Sequence, residues 1–284
     1  MSTPVLITAD ELAATAPGDR LPDGGPLRIL DVRWRLDRPD GRQDYLAGHV
    51  PGAVYVDLDH QLAAPGAPTD GRHPLPPVER LQEHARSWGI DDGDTVVVYD
   101  DLKNLSSARA WWLLRHAGIA DVRLLDGSLR AWTDAGHPVE TGQPAAPRSG
   151  GVRLDFGSLP TLTIDTAAAF PGGGVLLDAR AGERFRGEVE PVDPRAGHIP
   201  GARSAPTTEN VGADGRFLPV EQLRARFAAL GAKEGSTVGV YCGSGVTAAH
   251  EAVALTLAGF APALYPGSWS QWSNHADRPV AVGE

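Results

Sequence analysis

The chain has 284 residues, of which 42% are hydrophobic and 22% charged, and its formal net charge is −10. This composition is typical of a folded protein of one large or two ordinary domains and excludes disordered and collagen-like chains. The acidic balance and the lack of a basic stripe argue against nucleic-acid binding. No apolar run reaches the roughly 18 residues that a membrane-spanning helix needs. We therefore expect neither a nucleic-acid partner nor a membrane segment.

The predicted elements form two sets, each alternating between strands and helices in the same order. The first set begins with a short helix capped near Thr8 and continues with a strand at 27–31, a helix at 78–88, a strand at 95–99 and a helix at 106–116. The second set begins with a helix capped near Asp165 and continues with a strand at 175–178, a helix at 220–230, a strand at 237–241 and a helix at 246–257. This alternation predicts an α/β fold with mostly parallel sheets flanked by helices.

The two sets also share sequence, which indicates an internal duplication. The matching pairs of segments are 29–33 with 176–180, 48–53 with 197–202, and 127–132 with 267–272. Because the period is the size of a domain, we predict two tandem domains rather than a solenoid. The predicted boundaries are an N-terminal domain at 1–142, a linker at 143–154 that is rich in Gly, Pro and Ala, and a C-terminal domain at 155–284. Arg33 with Arg180, and His49 with His198, occupy equivalent positions in the two copies, which favours structural roles for all four.

Cys242 is the only cysteine, and it lies in the turn Cys-Gly-Ser-Gly between a predicted strand and a predicted helix. Ligands of parallel α/β sheets usually bind beyond the carboxyl ends of the strands. Small residues at 243–245 let backbone N–H groups point at one centre, and the helix that follows adds the positive end of its dipole. This setting favours the thiolate, so we predict that Cys242 is a nucleophile. A single thiol makes no internal disulfide, which suggests a reducing compartment, and we expect a cytoplasmic protein.

The first copy has Asp100 at the position of Cys242, and no glycine follows it. An acidic side chain inside a ring of inward amides cannot act as a soft nucleophile. We therefore predict that the N-terminal domain is not catalytic.

The loop Cys-Gly-Ser-Gly-Val-Thr-Ala at 242–248, the Asp-Ala-Arg element at 178–180, the turn Gly-His-Ile-Pro-Gly-Ala at 197–202 and the duplication together resemble a tandem-domain rhodanese sulfurtransferase. The resemblance covers essentially the whole chain. It implies two tandem rhodanese-like domains, the C-terminal one with a cysteine that cycles through a persulfide. The neutral residues Gly243 and Ser244 resemble the 3-mercaptopyruvate sulfurtransferase branch, whereas thiosulfate enzymes place basic residues there. Thiosulfate is a dianion, so flanking cations offset the cost of desolvating it beside a thiolate.

The resemblance also implies roles for individual residues. Arg184 matches the arginine that binds the substrate carboxylate, and Arg195 is the nearest candidate for a second one, although the loop that contains it is short. Ser244 is expected to move protons together with His73 and Asp59, with Asp57 as the alternative to Asp59. The backbone expected to surround the substrate sulfur comprises Gly243, Gly245, Val246 and Thr247.

The expected function is transfer of sulfane sulfur from 3-mercaptopyruvate to a thiol acceptor, such as thioredoxin, or to cyanide. No metal and no organic cofactor is expected. Two alternatives stay open: a thiosulfate:cyanide sulfurtransferase, and a rhodanese-like sulfur-carrier or binding module without turnover. Cysteine-dependent phosphatase chemistry needs an arginine six positions after the cysteine. That position is Ala248, which argues against a phosphatase.

Overall fold

The computed structural model describes residues 3–284, which form two compact units. The first unit comprises the chain up to Ala64 together with Pro76–Leu159 and Ala213–Arg216. The second comprises Pro65–Leu75, Pro160–Gly212 and Phe217–Glu284. The domain boundaries predicted at 1–142, 143–154 and 155–284 remain a prediction, since they divide the sequence into continuous segments and the compact units are discontinuous. The segment Pro65–Leu75 lies within the predicted N-terminal domain in sequence but packs with the second unit.

The first unit is a five-stranded parallel sheet in the order β1-β5-β4-β2-β3. Its strands are β1 (Leu6–Ile7), β2 (Leu27–Asp31), β3 (Val54–Tyr55), β4 (Thr95–Tyr99) and β5 (Val122–Leu125). Its helices are α1 (Ala9–Ala13), α2 (Arg42–Ala47), α3 (Leu58–Gln61), α4 (Val78–Ser87), α5 (Ser107–His116) and α6 (Ser128–Asp134). Every residue of β4 is buried, as expected for a central parallel strand that is covered on both faces.

The second unit is a four-stranded parallel sheet in the order β7-β6-β8-β9. Its strands are β6 (Val175–Asp178), β7 (Arg203–Ser204), β8 (Thr237–Tyr241) and β9 (Ala261–Leu264). Its helices are α7 (Ile164–Ala169), α8 (Gly182–Phe185), α9 (Val220–Ala229), α10 (Thr247–Leu257) and α11 (Ser268–Asn274), with 3₁₀ turns at Pro68–Asp70, Phe170–Gly172 and Thr207–Asn210. Helix α10 is rich in alanine and is buried from Ala248 to Leu255, so it packs closely as an interior helix.

The predicted α/β class is confirmed, and the predicted longer elements appear with ends shifted by one or two residues. One capping prediction needs correction, because α7 is capped by Thr163 and not at Asp165. The Thr163 hydroxyl accepts a hydrogen bond from the Thr166 N–H (3.2 Å), and Asp165 lies in the first turn, where a carboxylate favours the helix dipole. The two-residue strands were not predicted, because segments so short carry no periodicity.

The duplication is visible in the hydrogen bonds of both units. The guanidinium of Arg33 pairs with Asp31 (3.0 Å). In the second unit Arg180 pairs in the same way with Asp178 (2.6 Å). The equivalent histidines also behave alike, since the Nδ1–H of each donates to a nearby backbone carbonyl (2.8 Å in both). These contacts agree with the structural roles predicted for the four residues. Across residues 3–284, no helix is both long and apolar enough to cross a bilayer.

Candidate active site

Cys242 lies directly after β8, where the chain turns into α10. The Gly245 N–H donates a hydrogen bond to Cys242 Sγ (3.1 Å), and the residue is only 1% exposed. Gly245 has φ +78°, a left-handed conformation that side chains disfavour, so glycine is needed for the backbone to curl back onto the sulfur. An N–H that points at the sulfur stabilises negative charge there. Gly245 therefore supplies the turn with one donor for a sulfur anion.

Helix α11 holds the same turn from the other side. The Cys242 N–H donates to Ser268 Oγ (3.1 Å), and the Cys242 carbonyl accepts from the Trp269 N–H (2.9 Å). Ser268 has φ +54°, which is uncommon for a residue with a side chain. The sequence reasoning missed this residue as a support of the site. The Gly-Ser pair that recurs at 127–128 and 267–268 was the available signal.

Ser244 and His73 meet in the second unit. His73 Nδ1 and Ser244 Oγ are 2.7 Å apart, and the two residues are 7% and 6% exposed. The segment 65–75 is anchored beside the turn, because the Arg72 N–H donates to Ser270 Oγ (3.0 Å). The predicted pairing of serine and histidine is thus present in the structure. A hydroxyl and an imidazole in contact can pass a proton to a group that reacts at Cys242.

The two candidate aspartates lie at α3. Asp57 caps this helix by accepting from the His60 N–H (3.1 Å), and its carboxylate also contacts His60 Nδ1 (3.0 Å). This hydrogen bond raises the pKa of His60. Asp57 therefore has a local capping role. From the sequence we expect Asp59 to assist His73. That role of Asp59, a half-buried residue of α3, remains a prediction.

Two guanidinium groups border the turn that follows Cys242. A carbon atom added at Gly243 would lie 3.0 Å from Arg72 Nη2 and 3.6 Å from Arg184 Nη1. Arg184 belongs to α8, and Arg72 immediately precedes His73. Gly243 is therefore the residue that leaves room for both cations near the nucleophile. The sequence reasoning found Arg184 and missed Arg72, because no local pattern marks a loop arginine that reaches a turn 170 positions away.

Arg195 was the candidate for a second substrate-binding arginine, but its side chain is bound elsewhere. Its guanidinium donates to four backbone carbonyls, those of Trp272, Ser273, His275 and Arg278, at 2.6 to 2.9 Å. These contacts hold the chain that follows α11, and they favour a structural role over the predicted contact with substrate. The physical reason is that the end of a helix leaves carbonyls without partners, and the fork of an arginine side chain satisfies several of them at once. Arg72 is instead the second cation beside the turn.

The counterpart of Cys242 in the first unit shows what such a turn does with an anion. The carboxylate of Asp100 accepts backbone N–H groups from Leu102, Asn104, Ser106 and Ser107, at 2.7 to 2.9 Å. Asp100 is fully buried, so these hydrogen bonds replace water around the charge. The loop after β4 thus binds its own carboxylate. A related loop after β8 carries a thiol in the same place.

Comparison with known proteins places this site in a family. The model of the rhodanese-like domain matches residues 14–135 and 164–275, one in each copy of the duplication. The two matched ranges together cover most of the chain. The chain belongs to the rhodanese family.

Full-length relatives agree with this assignment. A Mycobacterium tuberculosis chain provisionally named thiosulfate sulfurtransferase SseB is 50% identical over 282 residues, which are 98% of this chain and 97% of its own. The 3-mercaptopyruvate sulfurtransferase of Escherichia coli is 35% identical over 292 residues, 99% of both chains. The crystal structure of SseA from Escherichia coli, described as a 3-mercaptopyruvate sulfotransferase, matches with a TM-score of 0.81 at 32% identity, over 94% of this chain and 99% of that one.

Proposed function

We propose that this protein is a sulfurtransferase that moves sulfane sulfur from 3-mercaptopyruvate to a thiol or to cyanide through a persulfide on Cys242. The hydrogen bond of 2.7 Å between Ser244 and His73 carries the choice of donor. When the carbon–sulfur bond of mercaptopyruvate breaks, pyruvate leaves as an enolate that needs a proton. When thiosulfate reacts, sulfite leaves without one. A proton relay beside the nucleophile therefore serves the keto acid.

In the first half-reaction the Cys242 thiolate attacks the sulfur of mercaptopyruvate. A sulfur–sulfur bond forms, the carbon–sulfur bond breaks, and its electron pair goes to the pyruvate enolate. Arg184 binds the carboxylate in this scheme, and the carbon is protonated from Ser244, which is resupplied by His73. The persulfide S–H then returns a proton to this relay, so that protons balance. The residues beside the turn thus bind the donor, and the serine and histidine complete the departure of pyruvate.

The turn at 243–247 stabilises the sulfur anion in both half-reactions. The Gly245 N–H already points at Cys242 Sγ, and the Asp100 loop is an internal example of amides gathered on one anionic group. Preorganised donors of this kind act as an oxyanion hole does, but toward sulfur. The predicted roles of the backbone at Gly243, Val246 and Thr247 are retained on this basis.

In the second half-reaction an acceptor thiolate, or cyanide, attacks the outer sulfur of the persulfide and regenerates the Cys242 thiolate. We propose a thioredoxin-like protein or a small thiol as the acceptor, and the cytoplasm as the compartment. A single free thiol persists in a reducing environment, and such an environment also supplies acceptor thiols, which supports this location.

Thiosulfate is the second candidate donor, and one observation specifically favours it. Two guanidinium groups, from Arg72 and Arg184, border Gly243, and a pair of cations suits a dianion. The provisional name of the Mycobacterium tuberculosis relative points in the same direction. The two donors are therefore compared directly in the test below.

The test is intact-mass measurement combined with steady-state kinetics on one preparation. Treatment with mercaptopyruvate is expected to add one sulfur atom to the protein, and Cys242→Ser is expected to abolish the gain. The ratio kcat/KM is expected to be higher for mercaptopyruvate than for thiosulfate. A gain retained in Cys242→Ser refutes the nucleophile, and a preference for thiosulfate refutes the donor. A stoichiometric persulfide without turnover would identify a sulfur-carrier module.

A further inference from the structure

Asp193 occupies an unusual place between the two cations of the site. Its carboxylate bonds to Arg184 Nη2 through Oδ2 (3.2 Å) and to Arg72 Nη1 through Oδ1. The side chain is only 2% exposed. One buried carboxylate thus bridges the two guanidinium groups that border Gly243.

The fold holds this carboxylate in position through Glu190. Glu190 Oε1 accepts the N–H groups of Val192 and Asp193 (3.1 and 3.0 Å), which shapes the turn that presents Asp193. The other oxygen of Glu190 binds Arg180 Nη1 and Arg184 Nε (both 3.3 Å). Glu190 Oε1 also accepts from Arg184 Nη2 (2.6 Å), so Glu190 pairs with one of the two cations, whereas Asp193 hydrogen-bonds to both Arg72 and Arg184.

The charges of Arg72, Arg184 and Asp193 together set the electrostatic potential that a donor meets beside Gly243. Without Asp193, the positive charge of Arg72 would lose this carboxylate, whereas Arg184 would still pair with Glu190 (2.6 Å). With Asp193, part of that positive charge is neutralised inside the protein. Burial raises the pKa of Asp193, Arg72 lowers it, and Glu190 raises it again, so the group sits in a poorly solvated place. A charge in such a place is screened less than one in water, and a donor beside Gly243 is exposed to its field.

Asp193 also borders a cavity of the second unit. Arg72 and Asp193 contribute to the wall of a cavity of about 540 Å³, together with Val192, Ser270 and Asn274. Arg72 therefore borders both this cavity and Gly243.

We propose, on the basis of the sulfurtransferase function proposed above, that Asp193 is a specificity-determining residue that disfavours dianionic thiosulfate relative to a monoanionic keto-acid thiol. Repulsion by one carboxylate acts twice on a dianion and once on a monoanion. Gly243 and Ser244 remove the cations that thiosulfate enzymes place after the cysteine, and Asp193 offsets the cations that remain.

The test compares Asp193→Asn with Glu188→Gln. Glu188 belongs to the same loop and pairs with Arg186 at the surface (2.7 Å), so its substitution changes the net charge equally but away from the site. The measured quantity is kcat/KM for thiosulfate divided by kcat/KM for mercaptopyruvate. Asp193→Asn is expected to raise this ratio at least about tenfold, since one extra unit of repulsion reaches that size across about 12 Å at an effective dielectric constant of about 20 and is larger at shorter distances. Glu188→Gln is expected to change it less than about twofold, as a screened surface charge should.

A ratio that moves less than about twofold in Asp193→Asn, or equally in Glu188→Gln, overturns the proposal. Arg72→Gln provides a second variant that does not depend on the folding of the first. Removal of this cation is expected to lower the same ratio about tenfold, and an unchanged or raised ratio contradicts the proposal. Failure of the underlying function looks different, because the unmodified protein would then gain no sulfur on Cys242 from either donor.

Discussion

Replacement of His73 by glutamine should slow the reaction of one donor and spare the other. His73 and Ser244 are nearly buried and 2.7 Å apart, so the relay is preorganised and shielded from water. Acid–base groups in such positions contribute about 10²- to 10⁴-fold to rate. We expect kcat for mercaptopyruvate to fall about 100-fold in His73→Gln, which corresponds to about 2.7 kcal/mol at 1.36 kcal/mol per tenfold. For thiosulfate we expect a fall of less than about threefold, since sulfite leaves without a proton.

The assay follows pyruvate release with mercaptopyruvate and thiocyanate release with thiosulfate and cyanide. Single-turnover mass spectrometry reports persulfide formation independently of the acceptor. His60→Gln is the matched control, because the His60 side chain is 83% exposed and pairs only locally with Asp57. Ser244→Ala combined with His73→Gln should cost little more than either change alone, since the two residues act as one relay. Equal losses with both donors would refute the proton-relay reasoning and indicate a structural effect of His73.

The remaining predictions concern stability, and both are measured by denaturant unfolding. Asp100→Asn should lower the free energy of unfolding by about 3 kcal/mol, because an amide nitrogen would face backbone N–H donors in a buried ring. Asp101→Asn, which removes a partly exposed pair with Arg35, should cost less than about 1 kcal/mol, and similar losses in the two variants would contradict this account. Burial raises the pKa of Glu251 from 4.5 to about 7, against a lowering by Arg226. The unfolded chain then releases its proton first as pH rises, so this residue should reduce stability by about 3 kcal/mol between pH 4.5 and pH 7. The free energy of unfolding of Glu251→Gln, measured relative to that of the unmodified protein, should therefore be higher at pH 7.5 than at pH 5. A lower relative value at pH 7.5 would show that the ion pair with Arg226 dominates.

The sequence by itself determined the class of fold, the duplication and the position of the thiol. Each of these depends on local order along the chain. Apolar runs such as 95–99 and 237–241 become parallel strands, and the glycine-rich turn after 237–241 lies at the carboxyl end of its strand. The need for a small residue at Gly245 could be predicted for the same reason, since its backbone conformation is a local requirement of the turn.

Only the tertiary structure decided how charge is arranged around Cys242. Arg195 looked suitable by distance along the sequence, but the carbonyls after α11 bind its guanidinium. Arg72 lies 170 residues before Cys242 and still borders Gly243, because the segment 65–75 packs with the second unit. Asp193 carries no motif, and its importance follows from the two cations that it bridges. Electrostatic interactions depend on distance and burial in space, and neither can be read from spacing along the chain.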